Sequence, residues 1–291
     1  MLCSIVLPVY NHLEYARLFV DSLVRYTDWP YELVVVDDSD GEGIGPFLGQ
    51  VPEVTIRRHP SPVGLARAWN DGLRAARGDY LVVCNNDVVL SPHWLSRLVG
   101  KLKEEPEVGI ACPVTNMEVD YFPAFLAERE ALGRVRQCPP EWAALDLAYG
   151  DGFTAFVDRF TAKYEGLSLP NIGLELGVIR RSVVEDVGLF DESFGGFFRI
   201  DDDFAQRVLL NGRANLIRTY GNVYVHHFGN VTSSGFEVAA MQARAEAGMA
   251  EKWPGIGATL YAAYVQGKLG PTELRELRRE LSSRLPFLGR P

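Results

Sequence analysis

Three polar residues, Asn85-Asn86-Asp87, stand between the apolar runs Leu81-Val82-Val83-Cys84 and Val88-Val89-Leu90. The first run reads as a buried strand, so the triplet at its end must meet water, a partner or an ion. Its oxygen-bearing side chains suit a hard cation such as Mg²⁺, which takes one or two carboxylates together with substrate phosphates. A plain turn is the competing reading, since Asn and Asp favour turns. Asp37 and Asp38 end a second apolar run, and Gly41 behind them permits the same turn reading. Two acidic strand ends in one sheet make a shared cleft more probable than either motif by itself. Further along, Asp201, Asp202 and Asp203 fall within one helical turn. Like charges this close raise each other's pKa, and a carboxylate so placed can serve as a general base. Capping of the helix N-terminus is the alternative. His226 and His227 end a strand whose alternation puts Val223, Val225 and His227 on one face, Tyr224 and His226 on the other. A strand-end histidine is more often structural, but beside an acidic cleft one of the two could complete a metal shell.

Several other chemistries do not fit. In "DDSDGEGIGPFLG", Gly41 and Gly43 call for a third glycine at 46, which is Pro46, so the dinucleotide-binding pattern fails. No Gly-x-x-x-x-Gly-Lys-Ser/Thr phosphate loop is present. The net charge of -9 argues against a nucleic-acid partner. An acidic protein can still bind an anionic ligand if a metal ion sits between them. With 291 residues, 47% of them hydrophobic, the chain can bury a sizeable core. Cys3, Cys84, Cys112 and Cys138 form no Cys-x-x-Cys pair, so buried free thiols are expected rather than a disulfide framework. The apolar N-terminus is too short for a signal peptide, and no run of ~18 apolar residues could span a bilayer. A cytoplasmic protein is the expectation.

These residues need elements to position them. Apolar runs at 2–10, 31–38, 54–59, 79–84 and 108–114 read as strands. Helical spacing fills 12–27, 64–78 and 91–106, with Gly78 expected as a C-terminal cap, Ser91 as an N-cap, Pro92 in the first turn and Pro106 as the stop. Strands alternating with helices indicate a doubly wound, mainly parallel α/β sheet, in which ligands bind outside the carboxyl ends of the strands. From 115 to 170, helices and loops are expected to cover one face of the sheet. Then come a strand at 174–181, a short helix capped by Ser182, a helix from Asp201 closed by Gly212, and a strand at 222–227. From Glu237 onward the chain reads as helical. The last helix carries arginines around a stripe of Leu274, Leu277 and Leu281. It could lie on an anionic membrane surface, though its glutamates favour a solvated face. One continuous domain with a C-terminal helical appendage is expected.

In this order, "SIVLPVYNH", "ELVVVDDSDG", "GLARAWNDGLRAARGDYLVVCNNDVVLSPHWL", "VGLFDESFGGFF", "DDDFAQRV" and "HHFGNVTSSG" resemble the inverting family 2 glycosyltransferases of the GT-A fold over roughly residues 3–235. The resemblance implies a Rossmann-like GT-A domain at 1–235. Residues 1–114 would form its nucleotide-binding half, 115–235 its acceptor-binding half, and 236–291 a helical extension. It implies that Pro8, Val9, Tyr10, Asn11 and Asp38 hold base and ribose, and that Asp37, Gly64, Arg67 and Asn86 belong to the same nucleotide site, Arg67 approaching the diphosphate. Asp87 would bind Mg²⁺ or Mn²⁺, His227 would complete the metal or diphosphate shell, and Asp201 would be the catalytic base. Three positions depart from the family pattern. The Asp-x-Asp site reads Asn-Asn-Asp, the glutamate before the base is Ile200, and Pro62 replaces an asparagine.

The implied reaction is inverting transfer from a nucleotide-diphospho-sugar, UDP- or dTDP-linked, to the hydroxyl of a carbohydrate or other acceptor in glycan synthesis. Trp142, Tyr149, Phe153 and Phe197 are candidates for stacking on an acceptor sugar, with burial in the core as the alternative. A non-catalytic sugar-nucleotide or glycan-binding module is the rival class, favoured by the reduced metal motif. A sugar-1-phosphate nucleotidyltransferase would need a Gly-rich basic loop after the first strand, and "PVYNHLEY" has neither feature.

Overall fold

The structure is a computed structural model. It describes residues 1–291 apart from 42, 119–121, 136–137, 172, 195–196, 212, 230, 232–236, 286–287 and 289–291, and apart from the side chains of 134 and 258. Gly212, expected to close a helix, lies outside the described residues, as do Gly195, Gly196, Asn230 and 232–235 of the quoted family-like stretches.

The expected alternation is present: β1 (Cys3–Val9), α1 (Leu13–Tyr26), β2 (Tyr31–Asp37), β3 (Val54–Arg58), α2 (Leu65–Ala75), β4 (Tyr80–Cys84), β5 (Val88–Val89), α3 (Trp94–Glu104) and β6 (Val108–Thr115). The middle of the chain supplies α4 (Arg129–Val135), α5 (Trp142–Ala148), α6 (Phe153–Lys163), β7 (Ser168–Pro170), β8 (Leu176–Arg180) and α7 (Arg181–Val187). Then follow α8 (Ile200–Asn211), β9 (Leu216–His227), α9 (Val238–Lys252), α10 (Gly257–Val265) and α11 (Pro271–Leu281).

Among the described residues the strands form one sheet in the order β3-β2-β1-β4-β8-β6-β9-β5, with β7 beside β9. β1, β2, β3 and β4 pair in parallel, as do β6 and β9, while β8 runs antiparallel between β4 and β6. β1 and β4 are buried on both faces, which is why they read as continuous apolar runs. Val6 pairs with Val83 and Val9 with Asp37, so the chain leaves β1, β2 and β4 along one edge.

Among the described residues, two apolar cores form. The larger packs α1, α2, α3 and α8 on the sheet and takes in Leu274, Leu281 and Leu288 from the C-terminal region. The smaller gathers Phe125, Phe153, Phe156, Phe160 and Tyr224, so the aromatic segment does cover the sheet at β6 and β9. The leucine stripe of α11 thus faces protein: Leu274 and Leu281 are buried. All four cysteines are free thiols, three of them buried.

Three expected caps are not formed. α2 ends at Ala76 in extended backbone. Gly78 serves close packing instead, because a Cβ there would lie 2.7 Å from Leu2 O and Ser4 N of β1. Helix α3 begins at Trp94 after His93 in the left-handed region at φ 62, with no side-chain cap from Ser91, and Pro92 precedes the helix in a turn. That end is held by Asp28, which takes His93 Nδ1 at 2.6 Å and Ser96 Oγ at 2.9 Å. Ser182 lies inside α7, whose N-cap position is Arg180.

Candidate active site

A cavity of about 470 Å³ opens along the carboxyl edge of the parallel strands, within the size range of small-ligand sites. Pro8, Val9, Tyr10, Asp38 and Gly64 line one part of it, Asn86, Asp87 and His227 another, and Asp201 a third. Nine of the twelve residues singled out from the sequence therefore share one space. Asn11, Asp37 and Arg67 do not line it.

The reasons for those three are local. Asn11 takes the left-handed backbone at φ 51 and joins the loops after β1 and β2: Asp40 N donates to its Oδ1 at 3.0 Å, and its own N donates to Ser39 Oγ at 3.0 Å. Asp37 points inward. Ser39 N and Ile44 N each donate to it at 2.9 Å, and a Cβ on Gly43 would lie 2.0 Å from its Oδ2. Arg67 lies on the half-exposed flank of α2, 3.7 Å from Asp71. Asp38, one residue past the strand, turns to the cavity. Its Oδ2 accepts from Val63 N at 3.0 Å and its Oδ1 lies 2.6 Å from His59 Nδ1. His59 Nε2 in turn meets Asp71 at 3.1 Å. This fixes a buried carboxylate on the cavity wall beside Pro8, Val9 and Tyr10.

At the end of β4, Asn85 N donates to Glu175 O at 2.9 Å, and Asn85 Nδ2 lies 3.3 Å from His227 Nε2. Asp87 is almost wholly buried. Its Oδ1 is 3.2 Å from His227 Nε2, and its Oδ2 accepts from Gly229 N at 3.1 Å. Burial pushes the Asp87 carboxyl up, but the charge and hydrogen bond of His227 together with backbone donors hold it below its ordinary value. Burial pushes His227 down, yet Asp87 and Glu175 reverse this and leave the imidazole above its usual value. Asn116 fixes the His227 backbone on both sides, donating from Nδ2 to its O at 2.9 Å and accepting from its N at 2.7 Å.

Asn86 Nδ2 and His227 Nδ1 are buried without a hydrogen-bond partner. Such atoms call for a ligand or water. Among the described residues no cluster of three or more His, Cys, Asp or Glu is arranged to hold a metal. A carboxylate and an imidazole 3.2 Å apart, beside two asparagine amides, fit a hard cation that draws its remaining ligands from a diphosphate and water.

The three aspartates of α8 do three different jobs. Asp203 is fully buried and takes Arg207 Nε at 2.9 Å. Asp202 pairs with Arg199 Nη1 at 2.8 Å. Asp201 alone of the three lines the cavity. Burial, with the charges of Asp202 and Glu175, raises its carboxyl to about 7. An aspartate with that affinity for a proton, open to a ligand cavity, can accept one from a hydroxyl near neutral pH.

The sequence reading missed Glu175. It enters because β8 is antiparallel: Cys84 pairs with Leu176, so the amino end of β8 meets the carboxyl end of β4. An acid one residue before a strand was the available signal. Phe197 lines the cavity, together with Phe198, Ile200 and Met241. Tyr149 and Phe153 belong to the smaller core, and Trp142 packs against it. Tyr149 Oη meets Tyr224 Oη at 2.6 Å and His226 Nδ1 at 2.9 Å, which accounts for His226 on the face opposite His227.

Comparison with known proteins bears on the family and the fold. The family described as Glycosyl transferase family 2 matches residues 4–185. An uncharacterized protein, y4gI, of Sinorhizobium fredii is 32% identical over 77% of this chain, which spans about a quarter (24%) of that protein. The uncharacterized glycosyltransferase YwdF of Bacillus subtilis is 22% identical, covering 77% of this chain and 74% of the relative. Among solved structures, the mannosyltransferase PcManGT from Pyrobaculum calidifontis, in complex with GDP-Man and Mn²⁺, superposes with a TM-score of 0.53 at 19% identity, over 98% of this chain and 81% of that one. At such identity the likeness shows the fold, that of a GT-A glycosyltransferase.

Proposed function

Because the chain belongs to glycosyl transferase family 2, we propose that it moves a sugar, with inversion, from a nucleotide-diphospho-sugar to an acceptor hydroxyl. The observation that carries this reading is the pairing of Asp201 with the Asp87–His227 pair on the walls of one cavity. The base and ribose would sit between Pro8, Val9 and Tyr10 and the acceptor carboxylate of Asp38. The Asp38 carboxylate can accept from a base N–H or a ribose hydroxyl, and a uridine or thymidine diphosphate is the donor proposed. Asn86 and Gly64 would line the nucleotide path. Asn11 and Asp37 would act by holding the loops that shape it, and Arg67 would act from the rim.

Asp87 and His227 would hold Mg²⁺ or Mn²⁺; when bound, the cation supplies positive charge against the leaving diphosphate. PcManGT, a structural neighbour, was solved with Mn²⁺ and GDP-Man. Asp201 takes the proton of the acceptor hydroxyl as that oxygen attacks the anomeric carbon from the face opposite the diphosphate. The new C–O bond forms as the bond to the diphosphate breaks, and the electron pair leaves with the diphosphate. One displacement inverts the anomeric centre. The transition state is oxocarbenium-like, as in glycoside hydrolysis. Phe197 and Phe198 provide apolar faces on which an acceptor can stack and which exclude water.

The division into a transferase domain at 1–235, with halves at 1–114 and 115–235, and a helical extension at 236–291 is part of this proposal. So is a cytoplasmic location with peripheral contact at the inner membrane face. No helix among the described residues is long and apolar enough to cross a membrane.

The second reading, a binding module without catalysis, draws on Asn-Asn-Asp and on Ile200 in place of an acid. One experiment separates them. Purified protein is titrated calorimetrically with UDP in Mn²⁺ and in EDTA, then incubated with a panel of sugar nucleotides. Metal-dependent binding with slow metal-dependent hydrolysis supports the transferase. Binding without hydrolysis supports the module. Equal affinity in EDTA removes the metal assignment.

A further inference from the structure

The segment that carries Asp201 is held by α9 along the length of that helix. Arg199, in the left-handed region at φ 66, donates from Nε to Glu246 Oε1 at 3.0 Å and from Nη1 to Asp202 at 2.8 Å. Gly248 lies against Phe194, with room for a Cβ only at 3.3 Å from the ring. At the end of α9, Lys252 Nζ lies 2.5 Å from Asp191 Oδ2 and 2.8 Å from Asp203 Oδ1. Trp253 Nε1 donates to the same Asp203 oxygen at 2.9 Å. Near its other end, α9 offers Met241 to the cavity wall. Asp203 is 0% exposed and shares the first turn of α8 with Asp201. A buried carboxylate holds its place only when paired and hydrogen-bonded, so the partners of Asp203 fix that turn.

We propose that α9 is a working part of the transfer site, with Lys252 and Trp253 as positioning residues that hold Asp201 in the cavity through Asp203. The proposal rests on the reading of Asp201 as the base. It makes the C-terminal region, which the sequence presents as an appendage, a condition of catalysis.

The test needs no knowledge of the donor. The charges acting on Asp201 are Asp202 and Glu175; those paired with Asp203 are Arg207 and Lys252. Lys252→Met, Lys252→Arg and Trp253→Phe are each made with Asp201 and with Asp201→Asn, and unfolded in urea from pH 5 to pH 8.5. At pH 8 the ionised Asp201 depends on the grip. Lys252→Met should then lower the folding equilibrium constant about three-fold more with Asp201 than with Asn at 201, a gap of the size expected of coupled neighbours. At pH 5 the gap should close, and Lys252→Arg should abolish it. Trp253→Phe should shift in the same direction by less, and carries the test if Lys252→Met does not fold. Equal losses in both backgrounds at every pH, for both substitutions, would overturn the proposal and leave α9 a structural strap. The transferase reading fails separately: a parent protein that neither binds nor hydrolyses any of a panel of sugar nucleotides with Mn²⁺ removes that reading and leaves the coupling measurement untouched.

Discussion

Asp201→Asn should make the protein more stable, and only above a definite pH. In the folded protein the Asp201 carboxyl is raised from 3.8 to about 7 by burial and by the charges of Asp202 and Glu175. The unfolded chain therefore loses this proton near pH 4, while the folded protein keeps it until about pH 7. Between those values the folded state binds more protons, so stability falls as pH rises, and the loss is complete above about 7. A shift of about three units, at about 1.4 kcal/mol each, sets an upper figure of about 4 kcal/mol. Relaxation of the neighbouring acids and water in the cavity lower this, so about 2–4 kcal/mol is expected. Asparagine carries no charge at any of these pH values and escapes the penalty. The assay is urea unfolding of both proteins from pH 4 to pH 8.5, read as the difference in stability, in which all shared titrations cancel. The difference should be flat at the acid end, climb through pH 5 to 7, and level off in favour of Asp201→Asn. A difference that does not change with pH would refute the claim that this carboxylate is held ionised at a cost, and with it the physical reason for choosing it as a base near neutrality.

Transfer or donor hydrolysis should fall about ten-fold per pH unit below about 7, as Asp201 takes up its proton; a rate profile flat from pH 5 to 8 contradicts its role. Asp87→Ala should weaken binding of UDP with Mn²⁺ by at least about ten-fold in calorimetry, the scale of effect seen when metal sites are disturbed, and leave any binding in EDTA unchanged. Gly78→Ala should destabilise the fold by about 1–3 kcal/mol, because its Cβ would meet Leu2 O and Ser4 N at 2.7 Å; a thermal midpoint equal to that of the parent argues against this close approach. Tyr149→Phe should cost about 1–2 kcal/mol by leaving His226 and Tyr224 short of a buried partner, measured by urea unfolding.

Much of the fold is legible in the sequence because each parallel strand, buried on both faces, leaves an unbroken apolar run. The edge rule for such sheets then leads directly to Asp38, Asn86 and Asp87. It leads equally to Asp37, and fails there, because neighbouring residues on a strand point to opposite faces. Asp37 turns inward to hold Ser39 N and Ile44 N, which depends on a loop closing seven residues later. Glu175 escapes the same rule for a related reason: the rule looks at carboxyl ends, and β8 presents its amino end. The fates of Asp201, Asp202 and Asp203 cannot be read from three identical residues in one turn. They are decided by Arg199, Arg207, Lys252 and Trp253, of which two lie about 50 residues away along the chain. Caps misled for a simpler cause. Ser91 and Ser182 have the right chemistry but each lies two residues from the cap position, within the margin by which helix ends commonly escape prediction.

Crystals grown with Mn²⁺ and UDP would locate the ion from its anomalous signal. The expected result is a peak bonded to Asp87 and His227, with the diphosphate against it, the base beside Asp38, and the Asp201 carboxylate facing the space where an acceptor would enter. A peak distant from both ligands, or a nucleotide bound outside this cavity, would contradict it.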